Sequence, residues 1–144
     1  MALKTLPITV TVRQAMEQTV PSIGSHQSVS QAIEKMIQAK VWSLLVERQG
    51  LPVGVIADKD VLTRCAAVGH YPDRVKVEDI MSSPIMTIEP DARAGEALKM
   101  MIEKKARRLY VVEGGKIMGR VTQTGLSRNL LDVMVALASV SDNL

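Results

Sequence analysis

Residues 65 positions apart match one another through most of this chain. Val12 corresponds to Val77, Met16 to Met81, Ala32 to Ala97, and Met36-Ile37 to Met101-Ile102. The same offset pairs Lys40 with Lys105, Leu44 with Leu109, Val46 with Val111, Gly50 with Gly115 and Gly54 with Gly119. One ungapped register across so many apolar and glycine positions identifies a tandem duplication. Each copy is too small to bury its own faces, so the two copies are expected to pack sheet against sheet.

The first copy spans residues 10–69, a polar linker spans 70–75, and the second copy spans 76–137. Ser28-Val29-Ser30-Gln31 has the form of a capping box, and Val29, Ala32, Ile33, Met36 and Ile37 follow at helical spacing. Ala94, Ala97, Leu98, Met101 and Ile102 repeat that stripe. Trp42 to Val46 and Arg108 to Val112 read as short buried strands, each followed by a glycine turn. A further strand, Val53 to Ala57 or Ile117 to Thr122, then leads into a helix. Asp58 is placed to cap the first of these helices, with Val61, Leu62, Cys65 and Ala66 facing inward and Gly69 ending it. The second is longer and carries Leu126, Leu130, Val133, Met134 and Leu137. Each copy thus reads as β-α-β-β-α, an α/β (α+β) fold.

Composition narrows the function classes. The chain has 144 residues, 47% apolar and 23% charged, the balance of a globular domain and not of a disordered one. No apolar run approaches the roughly 20 residues of a membrane helix, and the N-terminal residues lack the apolar core of a signal peptide. The one cysteine, Cys65, cannot form an internal disulfide, which fits a reducing cytoplasm. Net charge is +3, with the basic residues scattered except for Lys104, Lys105, Arg107 and Arg108. With no Phe, two Tyr and one Trp, stacking platforms for nucleic acid are scarce, so a nucleic-acid role through the Lys104–Arg108 patch is disfavoured. No catalytic or metal-binding motif is present. Cys65 lacks an evident histidine partner, and His26 and His70 lie apart in loops.

Val77-Glu78-Asp79-Ile80-Met81 followed by Pro84-Ile85-Met86-Thr87-Ile88-Glu89-Pro90 resembles the opening of a CBS domain. Gly54-Val55-Ile56-Ala57-Asp58-Lys59-Asp60 resembles that family's Gly-x-x-(Ser/Thr)-x-x-Asp element, except at Ala57. The likeness covers both copies and is similar to the small stand-alone CBS-pair proteins of prokaryotes. It implies a pseudo-twofold disc, called a Bateman module, with two inter-repeat clefts. Such clefts often bind AMP, ADP, ATP or S-adenosylmethionine, and the module regulates a partner; a homodimer is expected, and no covalent cofactor.

Carried over residue by residue, Asp60 would accept hydrogen bonds from the ribose hydroxyls, an apt role for a carboxylate with two acceptor oxygens. Ala57 stands where the family has a phosphate-binding hydroxyl, Ile85 would line the base pocket, and Thr87 would meet a base or phosphate edge. Ala106, Arg107 and Arg108, with Lys59, would complete the phosphate side; guanidinium forks match phosphate oxygens. The second cleft would use Val20, Ser22, Val41, Trp42 and Thr122, but Gly125 replaces its ribose aspartate, so it is expected to be weaker. Other readings stay open. Asp60 also suits a first helical turn on dipole grounds, Thr122 suits a strand, Trp42 suits core or cleft wall, and the protein could be an interaction scaffold.

Overall fold

The computed structural model describes residues 10–142. Two short helices, α1 (Val12–Ala15) and α4 (Val77–Ile80), open the two copies. The first copy continues as β1 (Ser22–Gly24), α2 (Val29–Ala39), β2 (Ser43–Arg48), β3 (Leu51–Ala57) and α3 (Asp58–Val61). The second continues as β4 (Thr87–Ile88), α5 (Ala94–Glu103), β5 (Arg108–Glu113), β6 (Lys116–Thr122) and α6 (Gln123–Asp142). The β-α-β-β-α order is therefore present twice. The opening helices were not legible as elements, being one turn long and without a repeating stripe.

Each copy builds a three-stranded sheet, ordered β1-β2-β3 and β4-β5-β6, with the first pair parallel and the second antiparallel. Both hairpins turn through two residues with positive φ, Gln49 (53°) and Gly50 (77°) in one, Gly114 (60°) and Gly115 (77°) in the other. That geometry matches the right-handed twist of the flanking strands. Both also shift register at the same place, between Val46 and Glu47 and between Val111 and Val112. The duplication thus preserves the irregularities along with the strands.

In space the chain forms two compact units. One is Val20–Ile85; the other, among the described residues, joins 10–19 to 86–142. Each opening helix therefore packs on the body of the other copy. Val77 and Ile80 join the core of Ile23, Val29, Met36, Leu44, Val46 and Ile56. Val12 joins that of Ile88, Ala97, Met101, Leu109, Val111 and Val121. Each fully buried aliphatic side chain contributes roughly 1.5–3 kcal/mol, so these helices are held by tertiary burial and not by their own propensity.

Several inward-facing expectations are corrected. Cys65 is fully buried, its Sγ lying 3.6 Å from the carbonyl of His70, whereas Leu62 and Ala66 are exposed. The reason is a π-helical turn, Leu62–Ala66, whose wider repeat rotates those side chains off the face that 3.6-residue spacing predicts. Ile37 and Ile102 lie at the outer edge of their stripes and face solvent. Of the α6 stripe, Leu126 is buried and Met134 exposed; the side chains of Leu130, Val133 and Leu137 lie outside the described residues.

Candidate functional site

At the end of β3, extended Ala57 (φ −125°, ψ 167°) gives way to α3, whose first residue, Asp58, donates its N–H to the carbonyl of Trp42 at 3.0 Å. Asp60 is the third helical residue and turns back: its Oδ2 accepts the Ala57 N–H at 2.8 Å. Asp58 is therefore not the cap. It sits one position too far along, and its Oδ1 takes the neighbouring Lys59 N–H at 2.8 Å. The second Asp60 oxygen, Oδ1, accepts the hydroxyl of Ser82 at 2.7 Å. Asp60 is only 6% exposed and its bond to Ala57 is buried, whereas Ser82 is exposed and its bond to Asp60 only partly buried.

The equivalent point in the second copy is complementary. Gln123 donates its N–H to the Arg107 carbonyl at 2.8 Å, as Asp58 does to that of Trp42. Here the hydroxyl is present and the carboxylate absent: Thr122 Oγ1 accepts the Gly125 N–H at 3.0 Å. A full Ser/Thr-x-x-Asp element would make both bonds, the reciprocal pattern of a capping box. Ala57/Asp60 keeps one arm and Thr122/Gly125 keeps the other.

The residues singled out in the sequence gather at one end of each sheet. In the 20–85 unit, Ser22 begins β1 beside Leu45, and Ala57 ends β3 opposite Ser43. Val20, Val41, Trp42, Lys59 and Asp60 flank these strand ends, and Ile85 lies half-buried at the close of the unit. In the other unit Thr87 begins β4 beside Tyr110, and Arg108 begins β5 opposite Thr122. Ala106 and Arg107 immediately precede β5. Thr87, Arg107, Lys104 and Lys105 are exposed, and Arg108 is half-buried.

Trp42 is not core. It is 73% exposed and forms one wall of an open groove of about 730 Å³ with Ile33, Met36, Ile37, Lys40, Val41, Asp58, Val61 and Leu62. In the other unit a groove of about 540 Å³ runs past Thr87, Ile88, Glu89, Ala92, Glu96, Met100 and Val112. The Arg48 guanidinium, 3.0 Å from Glu78, holds that carboxyl below its ordinary range, and Glu113, 2.8 Å from Arg13, raises the guanidinium further.

Among the described residues no cluster of three His, Cys, Asp or Glu side chains could hold a metal ion, and no helix is long and apolar enough to cross a membrane. Sequence reasoning missed Ser82, which fills one side of the Asp60 carboxylate. Its available signal was position: it directly follows Met81, at the end of the opening motif, where the first copy has Glu17.

The CBS-domain family signature matches residues 12–67 and 77–132, and this chain belongs to that family as two CBS domains in tandem. It is 39% identical over 80 residues to MK0525 of Methanopyrus kandleri, covering 55% of this chain and 41% of that protein. It is 35% identical over 107 residues to MJ0450 of Methanocaldococcus jannaschii, covering 72% of this chain and 58% of that one. The chain thus spans about half the length of these relatives. A CBS-domain protein of Burkholderia ambifaria, described as acting in signal transduction, shares the fold. Its TM-score is 0.82 at 23% identity, with 85% of this chain and 95% of that one covered.

Proposed function

We propose that this CBS pair is a non-catalytic regulatory module that binds an adenosyl ligand, AMP, ADP, ATP or S-adenosylmethionine, through Asp60 and signals to a partner protein. The observation that carries this reading is the state of the Asp60 carboxylate. A carboxylate offers about four acceptor positions; Ala57 N–H and the Ser82 hydroxyl take one on each oxygen, leaving one on each for a vicinal diol. Both donors also fix the plane of the carboxylate before any ligand arrives, so little ordering remains to be done on binding. Thr87, Arg107, Arg108, Lys59, Ile85 and Ala106 are the base and phosphate contacts that family resemblance suggests. A reducing, cytoplasmic setting suits the buried thiol of Cys65.

Calorimetric titration with AMP, ADP, ATP and S-adenosylmethionine tests the proposal. One of them is expected to bind in the micromolar range, and Asp60→Asn to weaken it by about 10–100-fold, the worth of a hydrogen bond to a charged acceptor. Unchanged affinity in the variant would remove Asp60 from the site. Absence of heat with all four would favour a second reading, a protein-interaction module, for which the exposed Trp42 and its apolar groove speak. Self-association through exposed Leu131, Met134 and Val135 of α6 is proposed alongside, with sedimentation velocity as its measure; a monomer at all concentrations would count against it.

A further inference from the structure

The two opening segments carry nearly the same apolar and backbone contacts. Val12 and Val77 are both fully buried. Met16 packs over Gly119 and Met81 over Gly54, so closely that an added Cβ would lie 2.9 and 2.7 Å from the sulfur. The next residue bonds the last strand reciprocally in each case. Glu17 and Arg120 exchange N–H···O bonds at 2.8 and 2.9 Å, as do Ser82 and Val55. On these contacts alone, either segment could seat on either body.

The charged contacts differ, and they differ by inversion. Arg13 lies 2.8 Å from Glu113 and 3.7 Å from Asp91. At the equivalent positions of the other unit the acid is on the helix and the bases are on the body: Glu78 lies 3.0 Å from Arg48 and 3.5 Å from His26. One turn on, Glu17 lies 3.2 Å from buried Arg120, whereas Ser82 donates to buried Asp60. An α1 segment seated on the 20–85 body would set Arg13 against Arg48 and His26, and Glu17 against Asp60. An α4 segment on the other body would set Glu78 against Asp91 and Glu113, and would deprive Arg120 of the Glu17 carboxylate.

We propose that this inverted pattern addresses each opening segment to one body, so that the two bodies present non-interchangeable docking surfaces, one accepting a basic helix and the other an acidic one. Apolar burial supplies the affinity, and charge supplies the choice, as in interfaces where like-charge encounters exclude the wrong partner. The same code would govern any exchange of these segments between two copies of the chain: α1 would enter only an 86–142 body, and α4 only a 20–85 body.

Chemical unfolding of the full chain tests the address. Neutralising Arg13→Gln is expected to lower the folding equilibrium constant about two- to fivefold, the worth of an exposed pair, and reversing Arg13→Glu about five- to twentyfold, because a like charge is added. Combining Arg13→Glu with Glu113→Arg should restore stability to within about twofold, which also shows that the reversed helix can fold. Combining it with Arg48→Glu, the equivalent place on the other body, should not. The gap between reversal and neutralisation should close in about 1 M salt, where the Debye length is near 3 Å. A reversal no worse than neutralisation, or equal rescue by both second substitutions, would overturn the proposal.

Discussion

The ends of β3 and β6 are the same strand-to-helix corner built twice, yet each keeps a different half of one hydrogen-bonding device. At Ala57 the helix is closed from the far side, by the Asp60 carboxylate reaching back. At Thr122 it is closed from the near side, by a hydroxyl reaching forward to Gly125. A motif that looks like a ligand-binding signature is thus also the means by which the corner satisfies its first amides. Asp60 differs in that its second oxygen is held by Ser82 from outside the corner. Thr122 makes the capping bond to Gly125, whereas Asp60 makes a capping bond and a second one to Ser82.

The largest expected effects fall where the two corners agree. Gly119→Ala would place a Cβ 2.5 Å from the Glu17 carbonyl oxygen, and Gly54→Ala one 2.7 Å from the Met81 sulfur and 2.9 Å from the Ser82 oxygen. Both glycines face a backbone carbonyl and a thioether, and backbone gives way less readily, so the closer carbonyl at Gly119 (2.5 against 2.9 Å) should make the first cost more, roughly 3 kcal/mol or above against about 1–3 for the second. Urea unfolding midpoints of both variants check the ranking. Equal and small losses would mean that the opening segments are not held this tightly.

Smaller effects fall where the corners differ. Asp60→Ala strands the buried Ala57 amide and removes the Ser82 bond, at a cost of about 1.5–3 kcal/mol, whereas Thr122→Ala removes one cap bond and should cost about 1 kcal/mol. Ala57→Ser supplies the missing hydroxyl and is expected to stabilise by about 0.5–1 kcal/mol, by completing the box. Thermal denaturation of the three variants orders them. If Asp60→Ala and Thr122→Ala cost the same, the Ser82 bond contributes nothing and the corners are equivalent.

Much of this was legible because duplication doubles every signal. The α2 and α5 stripes, both glycine hairpins and the Gly54-to-Asp60 element could be checked against a second copy, and the expected β-α-β-β-α order stands. The inversion of Arg13 and Glu78 was printed in the same register but could not be interpreted, because nothing local says that an opening helix docks on the other copy's body. The Ser82–Asp60 bond spans 22 residues and depends on that docking. The errors at Leu62 and Ala66 have a different source: a π turn has no recognisable sequence pattern at this length, and 3.6-residue spacing aimed both side chains inward.

The smallest effect concerns acid. Glu78 is held below its ordinary carboxylate range, chiefly by its hydrogen bond to Arg48, so the folded protein resists its protonation. A lowered folded-state pKa contributes stability that is fully present above the unfolded carboxylate pKa and is lost as pH falls through the folded one. Glu78→Gln should therefore leave neutral-pH stability only slightly reduced while flattening the decline on the acid side, below the usual range of a glutamate. In the opposite unit the shifted group is Arg13, raised by Glu113, and its titration lies above any pH at which the fold would be examined. Arg13→Gln should consequently lower stability by a similar small amount at pH 5 and pH 8. Melting temperatures of the two variants between pH 3 and pH 8 make the contrast measurable. Parallel curves would mean that the Glu78 contact is too solvent-screened to register, leaving the burial of Val77 and Ile80 as what holds α4 in place.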